Sequence, residues 1–153
     1  MLKILGRDTS SNVMKVLWVC AELGIDFKRE NTGGKYGGND TPEFLKLNPN
    51  GLVPVIIDDG FVNWESNACV RYLAAKHDPG RLYADNLKVR AVAERWMDWQ
   101  VTTVSPVMVP VFRGMVRTAP EDRDIELIEC ARSALSKKMA ILDSALANQR
   151  YLA

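Results

Sequence analysis

Two runs of strand-forming residues, Val53-Pro54-Val55-Ile56-Ile57 and Phe61-Val62-Asn63-Trp64, stand on either side of Asp58-Asp59-Gly60. An Asp-Gly step between such runs is a strong hairpin signal, because these residues tolerate the positive φ that a tight turn between strands requires. The hairpin commits this region to a sheet. Upstream, Leu2-Lys3-Ile4-Leu5 reads as one short strand and Phe27 to Asn31 as another. Between them, Ser10-Ser11-Asn12 offers capping side chains to a helix that carries Val13, Val16, Leu17, Cys20 and Leu23 on one face and stops at Gly24. Thr41 caps a short helix to Leu47, with Pro42 in the first turn, where proline is tolerated. A further helix follows the hairpin from Ser66 to Lys76. The order β-α-β-α-β-β-α over residues 1–77 predicts a compact mixed-sheet α/β domain.

The pattern breaks at Asp78-Pro79-Gly80-Arg81-Leu82-Tyr83, so residues 78–86 read as a linker. Residues 87–153 read as all-helical. Val89, Val92, Ala93, Trp96, Met97, Gln100 and Val104 recur at helical spacing, and Pro106 and Pro110 are expected to kink or end that helix. Ala119-Pro120-Glu121-Asp122 is expected to restart a helix. Ile128, Ala131 or Arg132, Leu135, Met139, Leu142 and Leu146 then form a seam of nearly heptad spacing.

Charge and cysteine content narrow the function classes. A formal net charge of +1 gives no electrostatic footprint for nucleic acid or an anionic membrane surface. No apolar run approaches the length of about 18 residues that a membrane span needs, and no secretory leader is visible, which implies a cytoplasmic protein. Cys20, Cys69 and Cys130 are far apart, lack metal-ligand or disulfide spacing, and read as small buried hydrophobes. With His77 as the one histidine, neither a zinc site nor a histidine-based triad is expected, and no metal is implied.

Two short stretches carry candidate chemistry. A proline at a strand start suits an edge or a turn, and Val53-Pro54 is a candidate cis peptide. Such a bond would free the Val53 backbone N–H and C=O for an extended peptide, whereas the plainer alternative is an ordinary edge-strand proline. Glu65-Ser66 stands where the hairpin meets a helix. Backbone N–H groups and a serine hydroxyl there suit a carboxylate, and Glu65 adds an acceptor for an ammonium group. The pair is built to grip a zwitterion, or else Ser66 is a plain helix cap.

Taken together, Ser10-Ser11-Asn12, Glu22-Leu23-Gly24, Pro42-Glu43-Phe44, Asn48-Pro49-Asn50-Gly51, Val53-Pro54-Val55, Trp64-Glu65-Ser66-Asn67-Ala68 and Tyr72-Leu73-Ala74 resemble the glutathione S-transferase family, and the helical second half matches that family's arrangement. The resemblance implies a thioredoxin-like domain holding glutathione, then a partial helical-bundle domain supplying the pocket for an electrophile. It further implies a cytoplasmic homodimer acting in detoxification, of the bacterial serine/asparagine type. By position it sets Val53 and cis Pro54 against the cysteinyl backbone of glutathione, and Glu65 and Ser66 at the γ-glutamyl end. Ser10 falls where a hydroxyl faces the thiol, and Asn12 where some bacterial members use an amide. Neither a tyrosine nor a cysteine occupies that early position, which disfavours the tyrosine-type classes and a mixed-disulfide mechanism.

Two departures stand out. The neighbourhood Asn50-Gly51-Leu52 lacks the histidine that several serine-type members use for the glycine carboxylate of glutathione, leaving Asn50 or Lys35 as candidates. Family members also continue past the position of Tyr151-Leu152-Ala153 into further helices, so the resemblance implies a truncated product or a fragment with an apolar seam to cover. Two functions follow from different classes. One is a transferase whose glutathione thiolate attacks an electrophile, a peroxide or a disulfide; the other is a non-catalytic glutathione-binding or protein-interaction module.

Overall fold

The computed structural model describes all of residues Met1–Ala153, which divide into two compact units, Met1–Asp85 and Asn86–Ala153. In the first unit the elements run β1 (Leu2–Leu5), α1 (Ser11–Leu23), β2 (Phe27–Glu30), a 3₁₀ turn (Gly34–Tyr36), α2 (Pro42–Leu47), β3 (Val55–Asp58), β4 (Phe61–Trp64) and α3 (Ser66–His77). The four-stranded sheet has the order β2-β1-β3-β4, with β1 parallel to β2 and antiparallel to β3, and β4 antiparallel to β3. This is the thioredoxin-like arrangement, with a helical unit after it.

Alternation along the central strands decides which helix covers which face. Leu2, Ile4 and Ile56 pack with Val16, Val19 and Cys20 of α1 and with Cys69, Leu73 and Ala74 of α3. Leu5 and Val55 point the other way, onto Phe44 of α2, with Trp64 and Val53 at the margin. Ile4, Val16, Ile56 and Leu73 are fully buried. Truncating a fully buried leucine such as Leu73 to alanine removes about 2–5 kcal/mol. The hairpin closes through Asp59 and Gly60 at φ 48° and 89°, the paired positive values of a type I′ turn. Beneath it, the buried Asp58 carboxylate accepts from the Tyr72 hydroxyl at 2.7 Å and from the Lys76 ammonium at 2.5 Å.

The second unit comprises α4 (Leu87–Trp99), a π-helical turn (Gln100–Val104), α5 (Ser105–Phe112), a second π-helical turn (Arg113–Arg117), a 3₁₀ turn (Pro120–Asp122) and α6 (Ile125–Leu146). Of the expectation that Pro106 and Pro110 kink or end the helix, the ending is corrected here, since helical backbone continues from Leu87 to Arg117. A proline lacks the N–H and crowds the carbonyl four residues back. The widened turn just before Pro106 relieves that crowding, and Thr102 Oγ1 donates to the carbonyl of Asp98 at 2.9 Å. Residues 120–122 form an isolated 3₁₀ turn, and α6 begins after Asp124, whose side chain caps the N–H of Leu127 at 2.9 Å. Ile128 and Ala131 are the buried residues of the α6 seam. Cys130 is exposed, which corrects its reading as a buried hydrophobe; it lies on the outer side of the same helix. No helix is long and apolar enough to cross a membrane.

Candidate functional site

The first turns of α1 and α3 meet at the end of the sheet. Ser10 is the N-cap residue of α1, with extended backbone at φ −91° and ψ 120°, and its hydroxyl makes no capping bond. Its carbonyl accepts from Met14 N–H at 2.8 Å, so the backbone is fixed while the hydroxyl stays uncommitted to the helix. One turn on, Asn12 Oδ1 accepts a hydrogen bond of 3.2 Å from the hydroxyl of Ser66. Ser66 is buried, at 6% exposure, and is the first residue of α3. Its hydroxyl is therefore not a cap for its own helix. Neither helix carries an acidic residue in its first turn, and the carboxylate beside α3 is that of its N-cap residue, Glu65, which makes no capping bond.

Glu65, between β4 and α3, stands at φ 65° and ψ 112°. A non-glycine residue held there costs on the order of 1–3 kcal/mol, and such strain concentrates at working sites. The strained backbone is retained because the Glu65 carbonyl starts the helix, accepting from Cys69 N–H at 2.9 Å. It leaves the carboxylate of Glu65 exposed beside the buried Ser66 hydroxyl.

The Val53-Pro54 bond is cis, as the strand-start proline predicts. Pairing of β3 with β1 begins at Val55 opposite Leu5, so Val53 lies outside the ladder. Its loop is organised by two asparagines. Buried Asn48 donates to the carbonyl of Leu52 at 2.8 Å and accepts from Asn50, through backbone N–H at 3.1 Å and through side-chain Nδ2 at 3.0 Å. Asn39 donates to the carbonyl of Gly51 at 2.7 Å. The loop abuts α1 at Gly6, where a Cβ would lie 2.5 Å from Val13 Cγ2 and 3.3 Å from Val53 Cβ. A side chain at Gly6 would press into those of Val13 and Val53, at a backbone φ of 154° that favours glycine.

Ser10, Asn12, Glu65, Ser66 and Val53 come from three segments, the start of α1, the junction of β4 with α3 and the loop before β3. Asn50, a candidate for the glycine carboxylate, donates through its side-chain Nδ2 to Asn48 Oδ1. Lys35 is exposed, with its ammonium 5.1 Å from the ring centroid of Tyr36. Two contributors escaped the sequence reading. Lys15 donates to Asn67 Oδ1 at 2.9 Å, beside the Ser66–Asn12 bond. Burial lowers the pKa of this ammonium, and the Glu65 charge opposes that shift. The signal available was spacing: Asn12 and Lys15 stand three apart, on one side of α1. The buried thiols are inert by contrast. Burial pushes Cys20 up to about 11, and burial together with the Glu65 charge pushes Cys69 up to about 12. A larger open groove of about 510 Å³, between α5 and α6, is lined by Val111, Arg132 and Met139 and includes none of the site residues.

Chemically, the arrangement offers an uncommitted hydroxyl at one helix start, a buried hydroxyl and a carboxylate at another, and a free backbone step facing them. Comparison with known proteins bears on what it holds. Residues 9–76 match the family described as glutathione S-transferase, N-terminal domain. The chain is 41% identical over 153 residues to glutathione S-transferase GstB of Escherichia coli, spanning 99% of this chain and 74% of that one. It is 32% identical over 158 residues to glutathione S-transferase 3 of Zea mays, spanning 99% and 70%. Among solved structures, a theta class glutathione S-transferase from the citrus canker pathogen Xanthomonas axonopodis pv. citri, with glutathione bound, superimposes with a TM-score of 0.95 at 45% identity, spanning 99% of this chain and 72% of that one.

Proposed function

Because the chain belongs to the glutathione S-transferase family, we propose that it binds glutathione across α1, α3 and the Val53 loop and stabilises its thiolate for attack on a small electrophile. The observation that carries this reading is the Ser66–Asn12 hydrogen bond of 3.2 Å, which joins the expected γ-glutamyl grip to the expected thiol end. The backbone of Val53 pairs with the cysteinyl residue of glutathione. The Glu65 carboxylate accepts from the γ-glutamyl ammonium, and the first N–H groups of α3 hold the α-carboxylate, joined by the Ser66 hydroxyl as it exchanges Asn12 Oδ1 for the ligand. Lys35 is the better-supplied group for the glycine carboxylate, because the amide of Asn50 is already bonded.

Glutathione must react as thiolate, and an ordinary cysteine thiol has a pKa near 8.5. Lowering it by about two units requires about 2.7 kcal/mol of differential stabilisation. A hydrogen bond to a charged group contributes about 1.5–3 kcal/mol, and a helix N-terminus adds about 0.3–1 kcal/mol. Ser10 at the start of α1 supplies both from one position, with the amide nitrogen of Asn12 as a second donor. The thiol proton passes to solvent, the sulfur forms its bond to the electrophilic carbon, and the leaving group departs with the electron pair. Peroxides and disulfides are the alternative acceptors.

The same reading makes the active form a cytoplasmic homodimer in detoxification, paired across α4. There Trp96 and Trp99 pack edge to face at 5.2 Å. Retention on immobilised glutathione together with turnover of a generic aryl halide tests the function. Retention without turnover would replace the transferase with a binding module.

A further inference from the structure

We propose that Lys15 is a positioning residue that makes the grip selective for the complete zwitterionic end of glutathione, acting through Asn67 and beside Glu65; this rests on the glutathione reading above. Residues 65–67 each have a separate anchor. Glu65 is fixed by the hydrogen bond from Cys69 N–H to its carbonyl, Ser66 by its bond to Asn12, and Asn67 by the 2.9 Å bond from the Lys15 ammonium. The last two anchors come from residues three apart on α1 and reach two consecutive residues of α3. Register between the two helix starts is thereby set by side chains, one of them a cation.

A plain packing role explains this poorly. The contact of α1 with α3 is already supplied by Val16, Val19, Cys20, Cys69 and Leu73. Lysine is among the residues least often withdrawn from water, and burial disfavours its charge. Here the ammonium is half-buried all the same, and its charge sits within reach of the exposed Glu65 carboxylate. That position has two effects on a ligand carrying an ammonium and a carboxylate on one carbon. Lys15 weakens the pull of Glu65 on a bare cation, and it adds a favourable charge for the carboxylate resting at Ser66. The site then favours a ligand carrying the carboxylate beside the ammonium over one carrying the ammonium alone.

The test measures binding of three tripeptides to the full chain by calorimetry. They are glutathione, γ-aminobutyryl-cysteinyl-glycine, which keeps the ammonium but lacks the α-carboxylate, and glutaryl-cysteinyl-glycine, which lacks the ammonium. The wild-type protein is compared with Lys15→Met, Lys15→Gln and Lys15→Arg. In the neutral variants glutathione is expected to weaken about tenfold while the carboxylate-free analogue holds or gains, so the preference between them collapses; Lys15→Arg restores it. The preference over glutaryl-cysteinyl-glycine is expected to persist, since Glu65 remains. Equal weakening of all three ligands, or an unchanged preference in both neutral variants, would overturn the proposal. Lys15→Gln covers the case in which Lys15→Met fails to fold. Failure of the wild-type protein to bind glutathione would instead overturn the function on which the proposal rests, and the two failures are distinct.

Discussion

The hydroxyl of Ser66 donates to the side-chain oxygen of Asn12 over 3.2 Å, across 54 residues of sequence. One bond thus joins the start of α3 to the start of α1, and it carries an energetic consequence for both ends of the site. Ser66→Ala removes a buried donor and, on the proposed function, a group that meets the ligand carboxylate. Glutathione affinity is expected to fall by about 1–3 kcal/mol, read by calorimetry. Asn12→Ala in the Ser66→Ala background is expected to add less than it does alone, because neighbouring partners couple. Full additivity would mean that the two side chains act separately.

Glu65 offers a stability test independent of ligand. Glycine relaxes a positive-φ position, and alanine does not. Both Glu65→Gly and Glu65→Ala remove the carboxylate and are expected to lose glutathione affinity. The glycine variant is expected to be the more stable of the two by about 1 kcal/mol, measured by urea unfolding. Equal stabilities would show that φ 65° is not strained in solution.

Gly6 is required by close approach. A methyl group there meets Val13 Cγ2 at 2.5 Å, and that side chain is buried in the first turn of α1. Gly6→Ala is expected to destabilise the protein by about 1–3 kcal/mol and to loosen the Val53 loop, so glutathione binding falls with it. Thermal melts with and without ligand report the two effects.

Acid stability should depend on Asp58. Its hydrogen bonds from Lys76 and Tyr72 hold the carboxyl below its ordinary value, against the opposing effect of burial. A depressed folded pKa contributes stability that is present above the unfolded value of about 3.9 and is lost as pH falls through the folded value. Asp58→Asn is expected to lower stability at neutral pH and to flatten its decline below about pH 5. An unchanged slope in that window would assign the acid transition to other carboxyls.

Much of the first unit was legible because its signals are local. Asp59-Gly60 specified the hairpin, Gly24 the end of α1, and Thr41 with Pro42 the start of α2. Val53-Pro54 marked a backbone step outside the ladder. What local pattern does not record is which side chains meet across the fold. Ser66 reads in sequence as a ligand grip or a helix cap, and Asn50 as a candidate ligand group, but their bonds to Asn12 and Asn48 show only in the fold. Lys15 is a charged residue in a helix and shows its partner only when α3 is laid against α1. In the second unit Pro106 does not end the helix, because the π-helical turn just before it absorbs the crowding, and Pro110 stands inside α5. Helix α6 starts after Asp124, because a short side chain there reaches Leu127 N–H, while Pro120 begins only a 3₁₀ turn.

The most direct test of thiolate stabilisation is a pH titration of thiolate absorbance in the saturated glutathione complex, wild type beside Ser10→Ala, with Ser11→Ala and Asn12→Ala as controls. Loss of a mere helix cap lowers stability by about 1 kcal/mol and leaves the thiol alone. Loss of the thiolate partner is expected to raise the midpoint while largely sparing affinity, because the proposed grips on the peptide at Val53, Glu65 and Ser66 lie elsewhere. The wild-type midpoint is expected about two units below the free-thiol value of about 8.5, with Ser10→Ala returning it most of the way. A wild-type midpoint at the free-thiol value would contradict thiolate stabilisation altogether, and a midpoint that moves for Asn12→Ala but not for Ser10→Ala would transfer the role to the amide.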